Sequence, residues 1–281
     1  MKTPIYPCLW FDGNAEEAAA IYTKAFKESL VQVCTPLVVT FSIKGRLFMG
    51  LNGGPNFKPN ASISFFNICT SEAELEQAWA ILSDGGMIMM PLGGYPWSGK
   101  YGWVQDRFGV SWQLMLTDKQ NKNSDVFPSM MFVGGQNGKA RAAIDFYTSL
   151  FDNSAITLIS EYTAEDNDKP GNIKHAQFLL GGGRFGAMES SMQHNFQFDE
   201  GVSLVVSCET QQEIDFYWMN LSNGGIEGRC GWCRDAFGIW WQIVPSILGE
   251  LMSQPEKAPK VIEAFLKMNK FDIEALKRAA A

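Results

Sequence analysis

The chain has 281 residues, of which 46% are hydrophobic and 19% are charged, and its formal net charge is −7. This composition is globular, and the length suits two domains of roughly 100–150 residues each. Acidic charge without a basic and aromatic cluster excludes a nucleic-acid footprint, and no apolar run approaches the roughly 20 residues that span a membrane.

Two further features of composition bear on the compartment. The six cysteines are scattered, as expected for free thiols in a reducing environment. The N-terminus shows neither an apolar signal core nor an Arg-rich presequence. We therefore expect a cytoplasmic protein without a membrane partner.

The start of the chain predicts one βαβββ unit. Asn14 and Glu17 have the spacing of a helix cap, and an apolar stripe follows them. A Lys-Gly-Arg turn separates the last two strands of the unit. Its strands are predicted at residues 4–11, 30–34, 38–43 and 47–52.

The pattern then begins again within the same half of the chain. A strand is predicted at residues 63–69, and Ser71 with Glu74 caps the next helix, which ends at a Gly-Gly pair. Residues 231–242 later repeat the pattern of residues 102–113, so the chain is an internal duplication.

Each copy of this repeated stretch contains an Asp-x-Phe-Gly turn, in which glycine supplies a positive φ. The strand that follows alternates, with apolar residues on one face. Gln113 and Gln242 therefore point away from the core face of their strands.

The repeat predicts an α+β fold of four βαβββ modules paired into two domains. The domains are expected at residues 1–117 and 128–250, because residues 118–127 are polar and lack periodicity. Residues 251–281 predict a helical tail, whose last helix is capped by Asp272.

Three motifs carry a family resemblance: Pro-x-Leu-x-Phe before an Ala-rich helix with a tyrosine, the strand at residues 48–52, and Asp-Arg-Phe-Gly-Val-Ser-Trp-Gln. They resemble the PhnB-like branch of the glyoxalase/bleomycin-resistance/dioxygenase (vicinal oxygen chelate) superfamily, once per half. The resemblance implies two glyoxalase-like domains. Sequences of this type often carry the label 3-demethylubiquinone-9 3-methyltransferase.

The residues argue against a methyltransferase. The glycine-rich stretch at residues 181–183 joins two predicted hairpin strands and is followed by no helix, so the context of a cofactor-phosphate loop is missing. A Cys-x-x-Cys stretch at residues 230–233 has no second pair for zinc. We expect no cofactor and no S-adenosylmethionine site.

The resemblance also implies four inward strand positions that hold a metal in superfamily enzymes. In this chain they fall at Pro7 and Pro128, near residues 50–52 and 187–189, at Ser64 and Ser203, and at Gln113 and Gln242. Proline offers no side-chain donor, and neither half supplies the usual carboxylate, imidazole or thiolate set. Metal-free cavities are expected, with His175 and Glu189 as the remaining metal candidates.

A small-molecule ligand is the expected partner. The two Ser/Gln pairs either contact it or simply bond to each other across adjacent strands. The aromatic loop at residues 93–99 is either a lid or an ordinary surface loop. The predicted ligand-binding residues are Leu9, Ser64, Trp97, Ser111, Gln113, Ser203 and Gln242.

The two halves are expected to differ, because Trp240 stands where the first half has Ser111. An indole there would fill the second cavity, so residues 1–116 are predicted to hold the larger pocket.

Three functions stay open: a metal-free binding protein, a metal-dependent lyase, isomerase or dioxygenase using His175, Glu189 and Gln242, and a structural protein with filled cavities. Whether a reaction is catalysed and whether the chain self-associates also stay open.

Overall fold

The structure is a computed structural model, and it describes residues 5–117 and 124–281. The chain forms two compact units, one of Pro7–Val202 and one of Met1–Tyr6 with Ser203–Ala281. The N-terminal residues 1–4 and residues 118–123 of the predicted linker lie outside the described residues. This division into units does not follow the two sequence halves.

The predicted modules of the first half are present. The first consists of β1 (Ile5–Phe11), α1 (Ala15–Ala25), β2 (Leu30–Cys34), β3 (Val38–Ile43) and β4 (Arg46–Asn52). The second consists of β5 (Ile63–Cys69), α2 (Glu72–Ser83), β6 (Met87–Tyr95), β7 (Ser98–Gln105) and β8 (Ser111–Leu116).

The second half repeats this order. Its first module consists of β9 (Asp125–Phe132), α3 (Ala140–Leu150), β10 (Ala155–Glu161), β11 (Ile173–Leu180) and β12 (Gly183–Glu189). Its second consists of β13 (Val202–Cys208), α4 (Gln211–Ser222), β14 (Ile226–Glu227), β15 (Trp232–Arg234) and β16 (Trp240–Pro245). The predicted α+β fold of four βαβββ modules is confirmed.

An eight-stranded sheet within Pro7–Val202 has the order β10-β11-β12-β9-β5-β8-β7-β6. At its centre β5 pairs antiparallel with β9 and parallel with β8. The sheet thus joins a module of the first sequence half to a module of the second. Strand β9 also begins at Asp125, inside the segment predicted as linker.

Aromatic residues pack the helices against one face of the central strands. The Trp112 ring lies 4.9 Å from Tyr22 of α1 and 5.3 Å from Phe65 of β5. All three side chains are fully buried, and each burial contributes on the order of 2–3 kcal/mol. This helix-packed face fixes which strand residues point to the opposite face.

Strands β1 to β4 pair as a second set, with β1 parallel to β4 and β3 antiparallel to both β4 and β2. The predicted cap of α1 by Asn14 is wrong, because the Asn14 side chain makes no cap hydrogen bond. The backbone N–H of Ala15 instead donates to Asn52 Oδ1 at 3.0 Å. The end of β4 therefore supplies the acceptor that the helix start needs.

In the other unit, β16 pairs parallel with β13 and antiparallel with β15, which pairs with β14. The tail forms α5 (Leu248–Met252), α6 (Ala258–Phe265) and α7 (Ile273–Ala279). Asp272 caps α7 as predicted, accepting from the Ala275 N–H at 2.8 Å. Among the described residues, no helix is both long and apolar enough to traverse a bilayer.

The duplicated turn has the same geometry in both copies. Asp106 Oδ1 accepts from the backbone N–H groups of Phe108 and Val110 at 2.9 and 3.0 Å, and its Oδ2 accepts from Trp112 Nε1 at 2.9 Å. Gly109 follows with φ of +93°, which favours glycine. Asp235 bonds Phe237, Ile239 and Trp241 in the same way at 2.9, 3.0 and 2.8 Å.

Candidate functional site

The face of the eight-stranded sheet opposite the helices is called here the inner face. The strand registers place Ser64 level with Ser111 and Ser129, and Phe66 level with Gln113 and Phe127. Side chains of such level residues share a face. The central strands contribute Ser64, Phe66, Tyr101, Trp103, Ser111, Gln113, Phe127 and Ser129 to the inner face.

A buried hydrogen-bonded chain crosses three strands of the inner face. Gln113 Nε2 donates to Ser64 Oγ at 2.7 Å, and the Tyr101 hydroxyl donates to Gln113 Oε1 at 2.6 Å. Burial raises the pKa of Tyr101, so its hydroxyl remains a donor at neutral pH. A primary amide has two N–H groups and two acceptor lone pairs, so Gln113 keeps one of each.

The aromatic loop, for which the sequence leaves a lid and a surface loop open, belongs to a β-hairpin formed by β6 and β7. Trp97 at its tip is 60% exposed, and its ring stacks on Tyr95 at 5.1 Å and meets the edge of Tyr101 at 5.9 Å. Trp97 therefore touches the Gln113 network only through Tyr101. Ser111 is also bonded, because its Oγ accepts from Trp103 Nε1 at 2.7 Å.

Ser129 brings an unbonded hydroxyl to the inner face. It is fully buried, and its Oγ has no hydrogen-bond partner in the part of the chain that the structure describes. A side chain at Gly186 would come within 2.9 Å of that oxygen, so glycine leaves room beside it. The Phe66 and Phe127 rings stack nearby at 5.3 Å.

His175 lies on the inner face at its far side, with its ring 6.2 Å from that of Phe66. Its Nε2 lies 3.1 Å from the Gln177 side-chain amide. Burial lowers the pKa of His175, because a charged imidazolium loses hydration there. The imidazole is therefore neutral at pH 7.

Glu189 faces the helices instead. Its Oε1 accepts from the Ala140 N–H at 3.0 Å, at the start of α3, and its Oε2 accepts from the Ile173 N–H at 2.7 Å. The carboxylate is buried and caps the helix as Asn52 caps α1. His175 and Glu189 thus lie on opposite faces of the sheet, and the structure does not bring this predicted metal pair together.

The comparisons now identify the family. A model of the family described as 3-demethylubiquinone-9 3-methyltransferase matches residues 3–115 and residues 124–244. The chain belongs to this family. The PhnB protein from Bacillus cereus is 35% identical, over 39% of this chain and 96% of its own, with a TM-score of 0.37.

Two other solved structures extend the comparison. A protein from Staphylococcus aureus is 32% identical over 42% of this chain and all of its own, with a TM-score of 0.20. Glyoxalase I from Zea mays covers 89% of this chain and 95% of its own at a TM-score of 0.56, and its 12% identity shows the fold alone. A search of curated proteins gives no match. The predicted PhnB-like resemblance and glyoxalase-like fold are confirmed.

The first-strand positions taken from the family face the helices in this chain. Leu9 pairs with Gly50, where an added Cβ would lie 3.0 Å from Ala15 of α1 and 3.2 Å from Phe11. Leu9 and Pro7 share the face of Phe11, because side chains alternate along a strand. The structure therefore does not place Leu9 beside Ser64 and Gln113, as the sequence suggested.

Pro128 likewise pairs with Phe65 on the helix-packed face, which leaves Ser129 as the inward residue of β9. On the closing strand β12 the inward residue is Met188, level with Met131. The inward set is thus Ser64, Gln113, Ser129 and Met188. Hydroxyls, an amide and a thioether do not fit a divalent metal site, and the described residues contain no cluster of three His, Cys, Asp or Glu.

In the other unit, the second Ser/Gln pair keeps one of these bonds within the part of the chain that the structure describes. Gln242 Nε2 donates to Ser203 Oγ at 2.9 Å, and both residues are buried. Trp240 shares the face of Gln242, and its ring meets that of Trp232 at 6.3 Å. Where the first copy has Tyr101, this copy has Cys230, whose Sγ lies 3.7 Å from the Phe265 carbonyl oxygen.

The two sequence motifs set aside above have ordinary structural roles. Cys233 is buried, and burial raises its pKa to about 12, so its thiol is unreactive at neutral pH. All six cysteines are free. The stretch at residues 181–183 forms the turn between β11 and β12, as predicted. Neither motif belongs to a site.

A cleft of about 680 Å³ lies elsewhere in the same unit, between two connecting segments that follow β4 and β12. The sequence reasoning missed it, although both segments are rich in asparagine and phenylalanine. None of the predicted ligand-binding residues lines it. Its walls are Asn56, Phe57, Lys58, Pro59, Asn60, His194, Asn195, Phe196, Gln197 and Asp199.

Proposed function

We propose that the chain binds a small, mainly apolar molecule on the inner face of the eight-stranded sheet. The observation that carries the proposal is the unbonded Ser129 hydroxyl on the same face as the partly used Gln113 amide; Ser129 is level with Ser64, to which Gln113 donates. Isolated polar atoms within an apolar surface usually orient a ligand. The ligand class is therefore a molecule with one polar end.

The surroundings of these atoms support the apolar part of that description. An aromatic cluster covers the centre of the inner face, and methionines pack around it. Methionine adapts its shape to a bound molecule more readily than branched side chains do. The members are Phe66, Tyr101, Trp103 and Phe127, with Met89, Met90, Met115 and Met131 at their edges.

Binding in this proposal uses neither a divalent metal nor S-adenosylmethionine. The inward set of Ser64, Gln113, Ser129 and Met188 lacks the ligands that such a metal prefers. The glycine-rich stretch at residues 181–183 leads from β11 into β12 and is not followed by a helix, as a loop for a cofactor phosphate would be. The proposed function is therefore ligand binding and not methyl transfer.

A structural protein with a filled inner face is the second candidate. It is favoured by burial, because Ser64, Ser111 and Gln113 are each no more than 2% exposed. Under this candidate the Ser64–Gln113–Tyr101 chain only ties three strands together. The two candidates differ in whether the inner face admits a molecule.

A fluorescent probe distinguishes them. N-phenyl-1-naphthylamine is apolar, neutral and carries one N–H that suits Gln113 Oε1. We expect saturable binding that weakens roughly fivefold in Gln113→Leu, from the loss of one hydrogen bond. Gln242→Leu is the matched control and should bind like the unmodified chain.

If the probe does not bind the folded chain, the result supports the second candidate, a structural protein with a filled inner face. If both variants weaken probe binding equally, the probe does not bind specifically at Gln113. Two further measurements test the cofactors: elemental analysis of protein purified without a metal-affinity tag, and calorimetry with S-adenosylmethionine. Stoichiometric metal or micromolar S-adenosylmethionine binding would overturn that part of the proposal.

A further inference from the structure

The cleft between the connecting segments is separate from the inner face, because Ser64, Gln113 and Ser129 do not line it. Its volume of about 680 Å³ is in the range of small-molecule sites. The segments that line it, residues 53–62 and 190–201, occupy equivalent places after the first and third modules.

The floor of the cleft is held rigidly by one asparagine. Asn60 Nδ2 donates to Asp199 Oδ2 at 2.8 Å, and its Oδ1 accepts from the Ser62 N–H at 2.8 Å. Asp199 Oδ1 in turn accepts from the Gly201 N–H at 2.9 Å. A Cβ on Gly201 would lie 2.2 Å from the Lys58 carbonyl oxygen, so only glycine permits this close approach.

A tryptophan supports the wall on the side of the first segment. The Trp10 ring meets the edge of Phe57 at 5.1 Å, and its Nε1 donates to the Gly54 carbonyl at 2.8 Å. The Trp10 N–H donates to the Gly201 carbonyl at 3.0 Å. The cleft is therefore formed before any ligand arrives, which lowers the entropic cost of binding.

The rim of the cleft carries unused hydrogen-bonding groups. In the described part of the chain, the side chains of Asn56, Asn195 and Gln197 make no hydrogen bond, and all three are exposed. Each amide offers donors and acceptors together. Phe57 and Phe196 lie among them and supply apolar walls.

We infer that this cleft binds a neutral, hydroxyl-rich small molecule, that is, a mono- or disaccharide. Sugar hydroxyls donate and accept, as the three amides do, and the C–H faces of a sugar suit aromatic walls. Lys58 and Asp199 offset each other in charge, so the cleft does not select an anion. An apolar ligand would displace water from these exposed amides without replacing its hydrogen bonds.

The test is saturation-transfer NMR on the full chain with a panel of glucose, galactose, mannose, maltose, lactose and cellobiose at millimolar concentration. We expect transfer to at least one sugar. The double variant Asn195→Ala/Gln197→Ala should weaken that binding by roughly tenfold or more, because two hydrogen bonds are lost. These residues are exposed and unbonded, so folding is unaffected.

The matched control is Gln32→Ala, which removes an exposed amide from β2 of the same unit. It should leave the transfer unchanged. Absence of transfer to every sugar, or transfer that survives the double variant, overturns the inference. Inorganic phosphate is titrated in parallel. If phosphate binds and Lys58→Ala abolishes that binding, the ligand class is anionic and the inference of a neutral ligand is overturned.

Discussion

The two Ser/Gln pairs begin from the same repeated sequence and differ in what surrounds them. Gln113 receives a hydrogen bond from Tyr101, and its neighbour Ser111 receives one from Trp103. In the other copy, Cys230 stands at the position of Tyr101 and Trp240 at the position of Ser111. Among the described residues, Gln242 therefore keeps the bond to Ser203 without a second one to match that from Tyr101.

This difference shows that a duplicated scaffold can surround equivalent glutamines with unlike side chains. The Asp-x-Phe-Gly turns have equivalent hydrogen bonds in both copies, so the backbone that presents each glutamine is built alike. The differences described above are in side chains, at Tyr101 and Cys230 and at Ser111 and Trp240.

The largest expected effect is the loss of a turn aspartate. Asp106→Ala leaves two backbone N–H groups and an indole N–H of the buried turn without an acceptor, and should cost about 4 kcal/mol of unfolding free energy. Asp235→Ala should cost about as much. Urea unfolding of both variants measures this, and a cost below about 1 kcal/mol for either would contradict the shared scaffold.

The next effect distinguishes the halves through a buried ion pair. Lys44 Nζ lies 2.6 Å from Glu74 Oε1, with the side chains 4% and 7% exposed. Glu74→Gln should cost about 3 kcal/mol, because it leaves a buried ammonium without its counter-charge. The equivalent Glu213 is half-buried and forms no ion pair with a lysine among the described residues, so Glu213→Gln should cost less than about 1 kcal/mol.

The same pair predicts a pH dependence. Burial acts to raise the pKa of Glu74, but hydrogen bonds from Lys44 and from the Thr70 N–H outweigh it, and the pKa is lowered. Its stabilisation is thus full above the unfolded pKa of about 4.3 and is lost as pH falls through the folded pKa. The stability difference between the chain and Glu74→Gln should shrink below pH 4; a constant difference would contradict the ion pair.

A smaller effect concerns the hydroxyl that only the first copy has. Tyr101→Phe removes the donor to the buried Gln113 Oε1 and should cost about 1–2 kcal/mol. Tyr95→Phe is the control, because that hydroxyl donates to the Pro91 carbonyl at the surface. Thermal unfolding compares the stability of the two variants. Equal losses of stability would mean that the buried bond to Gln113 stabilises the chain no more than the surface bond of Tyr95 does.

The smallest expected effect is the titration of His175, for which the first half has Val38 at the equivalent position. Burial lowers its pKa from the ordinary 6.5, so the stabilisation is present above the unfolded pKa and lost as pH falls through the folded value. We expect less than about 1 kcal/mol at pH 5. The chain has two histidines, so His175→Gln assigns the NMR resonance, and a pKa at or above 6.5 would contradict its burial.

Local patterns were sufficient to predict much of the molecule. The repeat predicted four modules, and alternation predicted that Gln113 and Gln242 leave the core face. The cap of α2 by Ser71 was also predictable, because capping acts within one turn of helix. The cap of α1 was not, since its acceptor Asn52 is 37 residues away from Ala15.

The candidate site shows the same division. Ser64 and Gln113 were predicted as a pair, and they are bonded to each other. Leu9 was assigned to the wrong face, because counting from a neighbouring helix does not determine how a strand is rotated. Ser129 was missed because it comes from the other sequence half and meets Ser64 only through the pairing of β5 with β9.

By itself the sequence determined the modules, the two turns and the alternation of each strand, because these depend on interactions between near neighbours in the chain. The tertiary structure decided that the second and third modules share one sheet. It also decided that two distant connecting segments enclose a cleft. A strand such as β5 is buried along its whole length, so its sequence has no polar and apolar alternation that would favour one partner strand over another. Its pairing therefore follows from long-range packing rather than from local sequence.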